Sequence, residues 1–201
     1  MARLQLSKSA LSRETQHLAT YKRFLPSLDL KRRQLMAERA KAREQLTSTG
    51  NEIDRMMQSV GESMPMLANV NVDLANLAKV TAVELQTENI VGTRVPKLEA
   101  VMIEVCPYSY MGKPHWVDRV VEDLKRMIEL RLRQQVETRR VLLLEEGVKK
   151  VTQRVNLFDK VLIPRAQENI KRIKIFLGDA ERASVINSKL AKAKQRALGQ
   201  A

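Results

Sequence analysis

The sequence predicts an all-α fold: a long antiparallel two-helix coiled coil, with a short β-hairpin and a small helix at the end distal to the termini. Apolar residues recur at steps of three and four over two long stretches, 1–62 and 116–177. The stretch between them, 63–115, is rich in β-branched residues and contains four of the six prolines. Only 3% of the residues are aromatic and 29% are charged, which suits interhelical seams better than a thick globular core.

The N-terminal helix, residues 1–62, carries a heptad pattern. One apolar series steps by seven from Leu4, and a second series, offset by three, begins at Tyr21. Two series with this offset form the a/d seam of a coiled coil, which would extend for about 80 Å at about 1.5 Å per residue. Pro26 should kink this helix or divide it, because proline cannot donate the helical hydrogen bond. The predicted seam residues are Leu11, Leu18, Leu25, Leu28 and Leu35.

The middle of the chain, 63–115, departs from helical spacing. A shorter helix is predicted over 67–85, from the spacing of its leucines. Val101, Ile103 and Val105 then alternate with other side chains, which is the period of a short strand. Residues 89–91 are its expected partner, with a loop around 92–96. Because a lone two-stranded hairpin is marginal in water, it should cap the far end of the coiled coil and lean on the helices or on another protein.

The second long helix, residues 116–177, has a less even seam. Polar residues interrupt its apolar face between residues 131 and 138, before a firm stripe begins. That stripe meets Pro164, yet apolar spacing resumes afterwards at Ile170, Ile173 and Phe176. A helix that tolerates such a break must be held by a partner along its length. The stripe residues are Val148, Val151, Val155, Phe158 and Leu162.

The last segment, 178–201, is predicted to be a short basic helix or tail. Gly178 followed by Asp179 is the pattern of a glycine that ends one helix and an aspartate that caps the next.

The formal net charge of +13 is concentrated at the two ends of the chain. Residues 1–43 carry a net +8 and residues 163–201 a net +6, so a helical hairpin would bring both basic segments together. Nucleic-acid binding is one interpretation of this charge. Docking into an acidic protein cavity is another, and the scarcity of aromatic residues and of nucleic-acid-binding signatures favours it.

No residue pattern indicates catalysis, so no catalytic, cofactor or metal site is expected. None of the seven glycines lies in a phosphate-binding G-x-x-x-x-G-K arrangement. His17 and His115 lack metal-ligand spacing, and the single cysteine, Cys106, has no neighbouring base motif and fits a reducing compartment. No run of about 18 apolar residues exists that could span a membrane, which predicts a cytoplasmic protein.

Three segments resemble a known family. The string RVNLFDKVLIPRAQENIKRIKIFL, residues 154–177, closely resembles the C-terminal helix of the D subunits of V-type (vacuolar and archaeal-type) ATPases and ATP synthases. LPSLDLKRRQLMAE, residues 25–38, resembles a segment of that family's first helix, and PYSYMGKPHWVDRVVEDL, residues 107–124, its turn into the second long helix. The matches occur in the family's order, so the chain is identified as a bacterial member of it.

The resemblance implies a non-catalytic central rotor-stalk subunit. Such a subunit is an axle whose two termini enter the ring of nucleotide-binding A and B subunits. Its opposite end, with the F subunit, meets a membrane-rotor adaptor subunit. Rotation would couple ATP hydrolysis or synthesis to transport of protons or other ions, with the chain in the cytoplasm and peripheral to the membrane. The basic residues expected to face the ring are Lys22, Arg23, Lys31, Arg32, Arg33, Arg165, Lys171, Arg172 and Lys174.

Two alternatives remain open from sequence. One is another coiled-coil axle, such as a flagellar export stalk protein or an F-type gamma subunit; the string at 154–177 favours the V-type D subunit. The other is a basic helical scaffold that binds nucleic acid.

Overall fold

Most of the chain is helical. The computed structural model describes residues 4–68, 77–108 and 112–198. It contains a long helical hairpin region and one two-stranded antiparallel sheet, which confirms the predicted fold class. The chain divides into two compact units, residues 1–30 with 151–201 and residues 31–150. The elements, in order, are α1 (Lys8–Ser63), a 3₁₀ turn (Pro65–Ala68), β1 (Ala78–Ile90), β2 (Thr93–Val105), α2 (Val117–Leu157), a π-helix (Phe158–Leu162) and α3 (Ile163–Leu198).

The first unit, 1–30 with 151–201, pairs the start of α1 with the C-terminal helices in antiparallel order. Lys8 lies 3.9 Å from Glu181, and further along α1 the Tyr21 ring meets the Phe158 ring edge-on, with centroids 5.4 Å apart. Residues later in α1 therefore face residues earlier in the C-terminal helices. Helix α1 begins behind Ser7, whose hydroxyl accepts the Ala10 backbone N–H at 3.2 Å and so caps an otherwise unpaired donor.

The proline in the second long helix is accommodated by a π-helix. Pro164 has no N–H, and its ring conflicts with the carbonyl four residues earlier. The turn immediately before it, Phe158–Leu162, is widened, and the Ile163 N–H donates to the Phe158 carbonyl five residues back. The chain then continues as α3, and the seam resumes at the buried Ala166 and Ile173.

The predicted seam position Phe176 is wrong, because this side chain is 47% exposed. A helix has 3.6 residues per turn, so two successive steps of three residues from Ile170 fall short of two full turns and place Phe176 to one side of the seam. Leu177, four residues after Ile173, is half-buried instead.

The predicted helix stop at Gly178 is also wrong, because α3 runs through it to Leu198. Gly178 does not have a positive φ, and Asp179 pairs with Arg182 at 3.7 Å within the same helix. Good helix formers on both sides outweigh the cost of one glycine, which is about 1 kcal/mol relative to alanine. Residues 178–198 are therefore the continuation of α3.

The second unit, residues 31–150, contains its own antiparallel helix pair. Arg43 of α1 pairs with Glu145 of α2, while Arg131 approaches the Met57 sulfur at 3.7 Å. The centre of this interface is closed to solvent. Its most buried side chains are Leu35, Ile53 and Leu144, which are at most 1% exposed.

The β-hairpin is longer than the sequence suggested. Its two 13-residue strands pair from Ala78↔Val105 to Ile90↔Thr93. The predicted helix over 67–85 is wrong over residues 78–85, which are strand, and its part at 69–76 lies outside the described residues. Residues 78–90 include several β-branched side chains, and β2 supplies their backbone partners.

The predicted loop around 92–96 is wrong as well. The turn consists of Val91 and Gly92 alone, with φ of 50° and 83°, the pattern of a type I′ turn. The Asn89 side-chain oxygen accepts the Gly92 N–H at 2.9 Å, which fixes the turn.

The hairpin lies alongside the helices of the second unit, and does not cap their ends. At its base, Leu77 joins a buried cluster with Val117 and Val121 of α2. At its tip, Thr93 lies so close to Gly147 of α2 that a Cβ on that glycine would be 2.9 Å from the Thr93 hydroxyl. Strands of about 40 Å, at about 3.3 Å per residue, need this cover because an isolated hairpin is marginal in water.

Replacing Phe158 by alanine should lower the free energy of unfolding by about 2–3 kcal/mol, less than for a fully buried phenylalanine because the side chain is half-buried. The neighbouring Leu157→Ala removes a 46% exposed side chain and should change stability by less than about 0.5 kcal/mol. Urea unfolding of the two variants measures the difference. Equal effects would contradict the position of Phe158 in the seam.

Gly178→Ala should stabilise α3 by about 1 kcal/mol, since an added Cβ meets nothing within 4 Å and alanine loses less backbone entropy than glycine. Gly92→Ala is the control of opposite sign, because its φ of 83° strains any L side chain. Thermal unfolding compares them. A lowered melting temperature for Gly178→Ala would support a helix stop after all.

Val91→Asn should stabilise the hairpin by about 1 kcal/mol, because asparagine tolerates the positive φ that a β-branched valine resists. Hydrogen exchange of the β1 and β2 amides measures the effect, and slower exchange is expected. Val91→Ile, which keeps the branched Cβ, serves as the control and should leave the exchange rates nearly unchanged.

Candidate functional site

The predicted seam residues are all withdrawn from solvent to some degree. In α1, Leu35 is fully buried and the other four leucines are half-buried. In the second long helix, the three valines are 5–8% exposed, while Phe158 and Leu162 are half-buried. The stripe of each helix is thus withdrawn from solvent, and Phe158 contacts Tyr21 across the helix pair of the first unit.

Polar residues at seam positions are withdrawn as well. Thr49 is only 5% exposed, and the Arg39 Nε is buried without a hydrogen-bond partner among the described residues. Residues at heptad seam positions are thus withdrawn from solvent even where the side chain is polar. A polar residue in the seam weakens a coiled coil but specifies its register.

Six of the predicted basic residues belong to the first unit, and all six are exposed. Arg172 donates to Glu168 at 2.6 Å one turn away, so part of its charge is balanced on its own helix. Arg165 lines a cavity of about 520 Å³ on the seam side of α3. The six residues are Lys22, Arg23, Arg165, Lys171, Arg172 and Lys174.

The same cavity includes two residues that sequence reasoning did not select as site residues, Arg13 and His17. The His17 ring stacks on Tyr21 with centroids 6.0 Å apart, and Tyr21 in turn contacts Phe158. The sequence could have predicted this contact between His17 and Tyr21. Both side chains carry rings, and residues four apart on a helix are neighbours on its surface. The cavity lies beside the π-helix, where Leu162 forms part of its wall.

The remaining predicted basic residues, Lys31, Arg32 and Arg33, belong to the second unit. Arg33 is exposed, whereas Lys31 and Arg32 are half-buried. The Lys31 ammonium lies against the hairpin turn, 3.1 Å from the position that a Cβ on Gly92 would take. Lys31 is therefore engaged with the hairpin of its own chain, which its position in a run of basic residues did not reveal.

Most of the ion pairs found on the described helices are local and solvent-exposed. Glu146 pairs with Lys150 at 2.7 Å, and the hydrogen bond and charge of that lysine lower the pKa of the Glu146 carboxyl below its ordinary value. Glu129 and Arg133 pair at 3.3 Å in the same i,i+4 arrangement. Exposed pairs of this kind contribute little to stability because water and salt screen them, so they do not organise the surface.

Among residues 4–68, 77–108 and 112–198, no group of three or more His, Cys, Asp or Glu side chains could hold a metal ion. No helix in this described part of the chain has a segment apolar enough to cross a membrane.

Comparison with known proteins assigns the family. The family model for the D subunit of ATP synthase matches residues 10–193. The D subunit of the V-type ATP synthase of Borreliella burgdorferi is 30% identical over 192 residues, covering 96% of this chain and 95% of the relative. The proteins of the same name from Chlamydia trachomatis serovar L2 and Chlamydia felis are 32% and 31% identical over 198 residues, covering 96% of this chain and 96% and 94% of the relatives. This chain therefore belongs to the family of V-type ATP synthase D subunits.

Proposed function

We propose that this chain is the central rotor-stalk subunit, the axle, of a V-type ATPase or ATP synthase. It would couple ATP hydrolysis or synthesis in a ring of A and B subunits to ion transport across the membrane by rotation. The observation that carries the proposal is the antiparallel helix pair in each unit, with its apolar stripe withdrawn from solvent and most of its charged residues exposed. Such a chain is suited to transmit force, and we assign it no catalytic role.

The mechanical role follows from the coupling of shape and nucleotide state. Ring subunits that change conformation as ATP binds and is hydrolysed would each favour a different angle of an asymmetric axle, so chemical and rotational free energies are coupled. A symmetric axle would have no preferred angle. The π-helix at Phe158–Leu162, the proline beside it and the uneven burial of the seam provide asymmetry within the chain.

The exposed basic residues of the first unit are the proposed contact with the ring. Residues 1–30 with 151–201 contain 16 Lys/Arg against 6 Asp/Glu, and this net +10 gives the first unit a positive field. A positive surface favours an acidic cavity and speeds its docking. Because each exposed pair contributes about 0–1 kcal/mol and is screened by salt, docking would depend on several residues acting together.

The proposed partners follow from the same assignment. They are the A and B subunits of the ring, the F subunit, and the adaptor subunit of the membrane rotor. The chain would then act in the cytoplasm, held at the membrane periphery through the complex.

A fourfold variant tests the ring contact: Arg165→Gln, Lys171→Gln, Arg172→Gln and Lys174→Gln together. All four side chains are exposed, so the variant should keep its helical circular dichroism and melting temperature. In a reconstituted complex at physiological salt, we expect ATP hydrolysis to continue while ion transport per ATP falls at least about twofold, an effect consistent with several weakened pairs. ATPase activity and ion transport are measured on the same preparation.

The matched control replaces four exposed basic residues of the second unit by glutamine: Arg119, Arg126, Arg139 and Lys149. This change lowers the net charge by the same amount, so it separates a specific contact from general electrostatics. Unchanged assembly and coupling in the first variant, or equal loss in both, would contradict the proposed ring-facing role.

A further inference from the structure

The tip of the β-hairpin is fastened to α2 by a small number of contacts. Arg140 of α2 donates to the Glu88 carboxylate of β1 at 2.9 Å, and its side chain is only 17% exposed. Thr93 sits against Gly147, two turns further along α2, where only a glycine leaves it room. Val95 of β2, at the same tip, is fully buried.

Next to this tip, the hairpin is separated from the helices by a cavity. A polar cavity of about 600 Å³ lies there, lined by α1, α2 and both strands. Its walls carry charges of both signs, from residues that include Glu52, Lys97 and Arg133. Residues 83–89 of β1 are exposed throughout, so the middle of the strand contributes little apolar burial. On the side of β1 the tip is therefore attached through these few contacts, whereas β2 keeps a half-buried face down to its base.

Glu137 of α2, in the wall of the same cavity, has an unsatisfied oxygen. Its Oε2 is buried and has no hydrogen-bond partner among the described residues. A carboxylate oxygen withdrawn from water without a partner destabilises the state in which it occurs. Glu137 lies three residues before Arg140, a spacing at which an acid and a base on one helix can pair.

Arg140 thus has two carboxylates within its reach, one on the hairpin and one on its own helix. With the hairpin attached, it pairs with Glu88 and leaves Glu137 unsatisfied. If the tip moved away, Glu88 would be hydrated, and the guanidinium could pair with Glu137. Detachment would expose Val95 and Ile90 to water, which raises the free energy of the detached state. Pairing of Arg140 with Glu137 would lower it again in part, because the Glu137 oxygen gains a hydrogen-bond partner.

We propose that the hairpin tip is a releasable latch, in which Arg140 exchanges Glu88 for Glu137 when the tip detaches from α2. The base remains held by the apolar cluster of Leu77, Val117 and Val121. The latch is a property of this chain alone and does not rest on the proposed rotor role. Any partner that binds the detached tip would shift this equilibrium by its difference in affinity for the two states.

Hydrogen exchange of the full-length chain tests the latch, because exchange of protected amides reports the population of the open state. Glu88→Gln weakens the pair of the attached state and should speed exchange of the amides of residues 88–95 about three- to tenfold. Glu137→Gln removes the alternative partner and the buried charge, so it should slow exchange of the same amides at least about twofold. If Arg140 exchanges partners, the two Glu→Gln changes should therefore shift the exchange rate of the tip amides in opposite directions.

Two controls accompany these variants. Glu129→Gln removes a carboxylate that pairs with Arg133 on the exposed surface of α2, and should leave the tip amides unchanged. The amides of residues 101–105, near the base, report whether a variant loosens the whole unit, and should not respond to any of the three changes.

Two results would overturn the proposal. If Glu137→Gln speeds exchange at the tip or leaves it unchanged, Glu137 is not a partner in the detached state. If Glu88→Gln speeds exchange at residues 101–105 as much as at the tip, the hairpin opens as one piece and no latch exists.

Discussion

The fold depends on one constraint: each long helix must bury most of its apolar residues along a stripe that faces a partner helix, with the hairpin as further cover in the second unit. The described elements of the first unit are helices, with no sheet among them to take up a misplaced side chain, and the chain has too few aromatic residues to build a thicker core. Leu35, Ile53 and Leu144 in one unit, and Ile173 in the other, are withdrawn almost completely for this reason. The polar residues that heptad position forces into the seam, such as Thr49, are the cost of keeping the stripe continuous.

The same constraint explains how the second long helix survives its proline. A regular α-turn before Pro164 would leave the Lys160 carbonyl in conflict with the proline ring. The π-helix at Phe158–Leu162 opens that turn, while Leu162 and Ala166 stay on the seam. Packing against Tyr21 compensates at the same place, because the Phe158 ring keeps an aromatic partner across the interface. A local backbone irregularity is thus stabilised by contacts distant in sequence.

Periodicity alone was enough to predict the two long helices, because burial in a coiled coil follows position in the heptad. It failed where two periods compete. The leucines of 67–85 are spaced as in a helix, but the β-branched residues among them pair with β2, a partner that local spacing cannot reveal. The predicted helix stop at Gly178 was wrong for a related reason. A glycine ends a helix only when the residues after it are not helical, and here α3 continues through them.

The candidate site was predictable only as a set of exposed charges. Lys22 and Arg165 lie at the surface, as alternation with an apolar seam suggests. The engagement of Lys31 with the hairpin turn and the contact of Thr93 with Gly147 join residues more than 50 positions apart. Such contacts depend on where the hairpin comes to lie, and no motif in the sequence encodes that position.

The π-helix also has a consequence for how the length of this chain can vary. It behaves as a one-residue insertion whose phase error is confined to a single turn. Deletion of one residue there would restore an ordinary α-turn and leave the helices on both sides in their present phase, although the conflict between Pro164 and the carbonyl one turn earlier would return. Deletion of one residue between Ala166 and Ile173 has no wide turn to close, so it would rotate everything that follows by about 100°. Ile173 would then leave the interface, and a charged neighbour would enter it. The chain can therefore change its length by one residue at the π-helix more easily than in the regular part of α3.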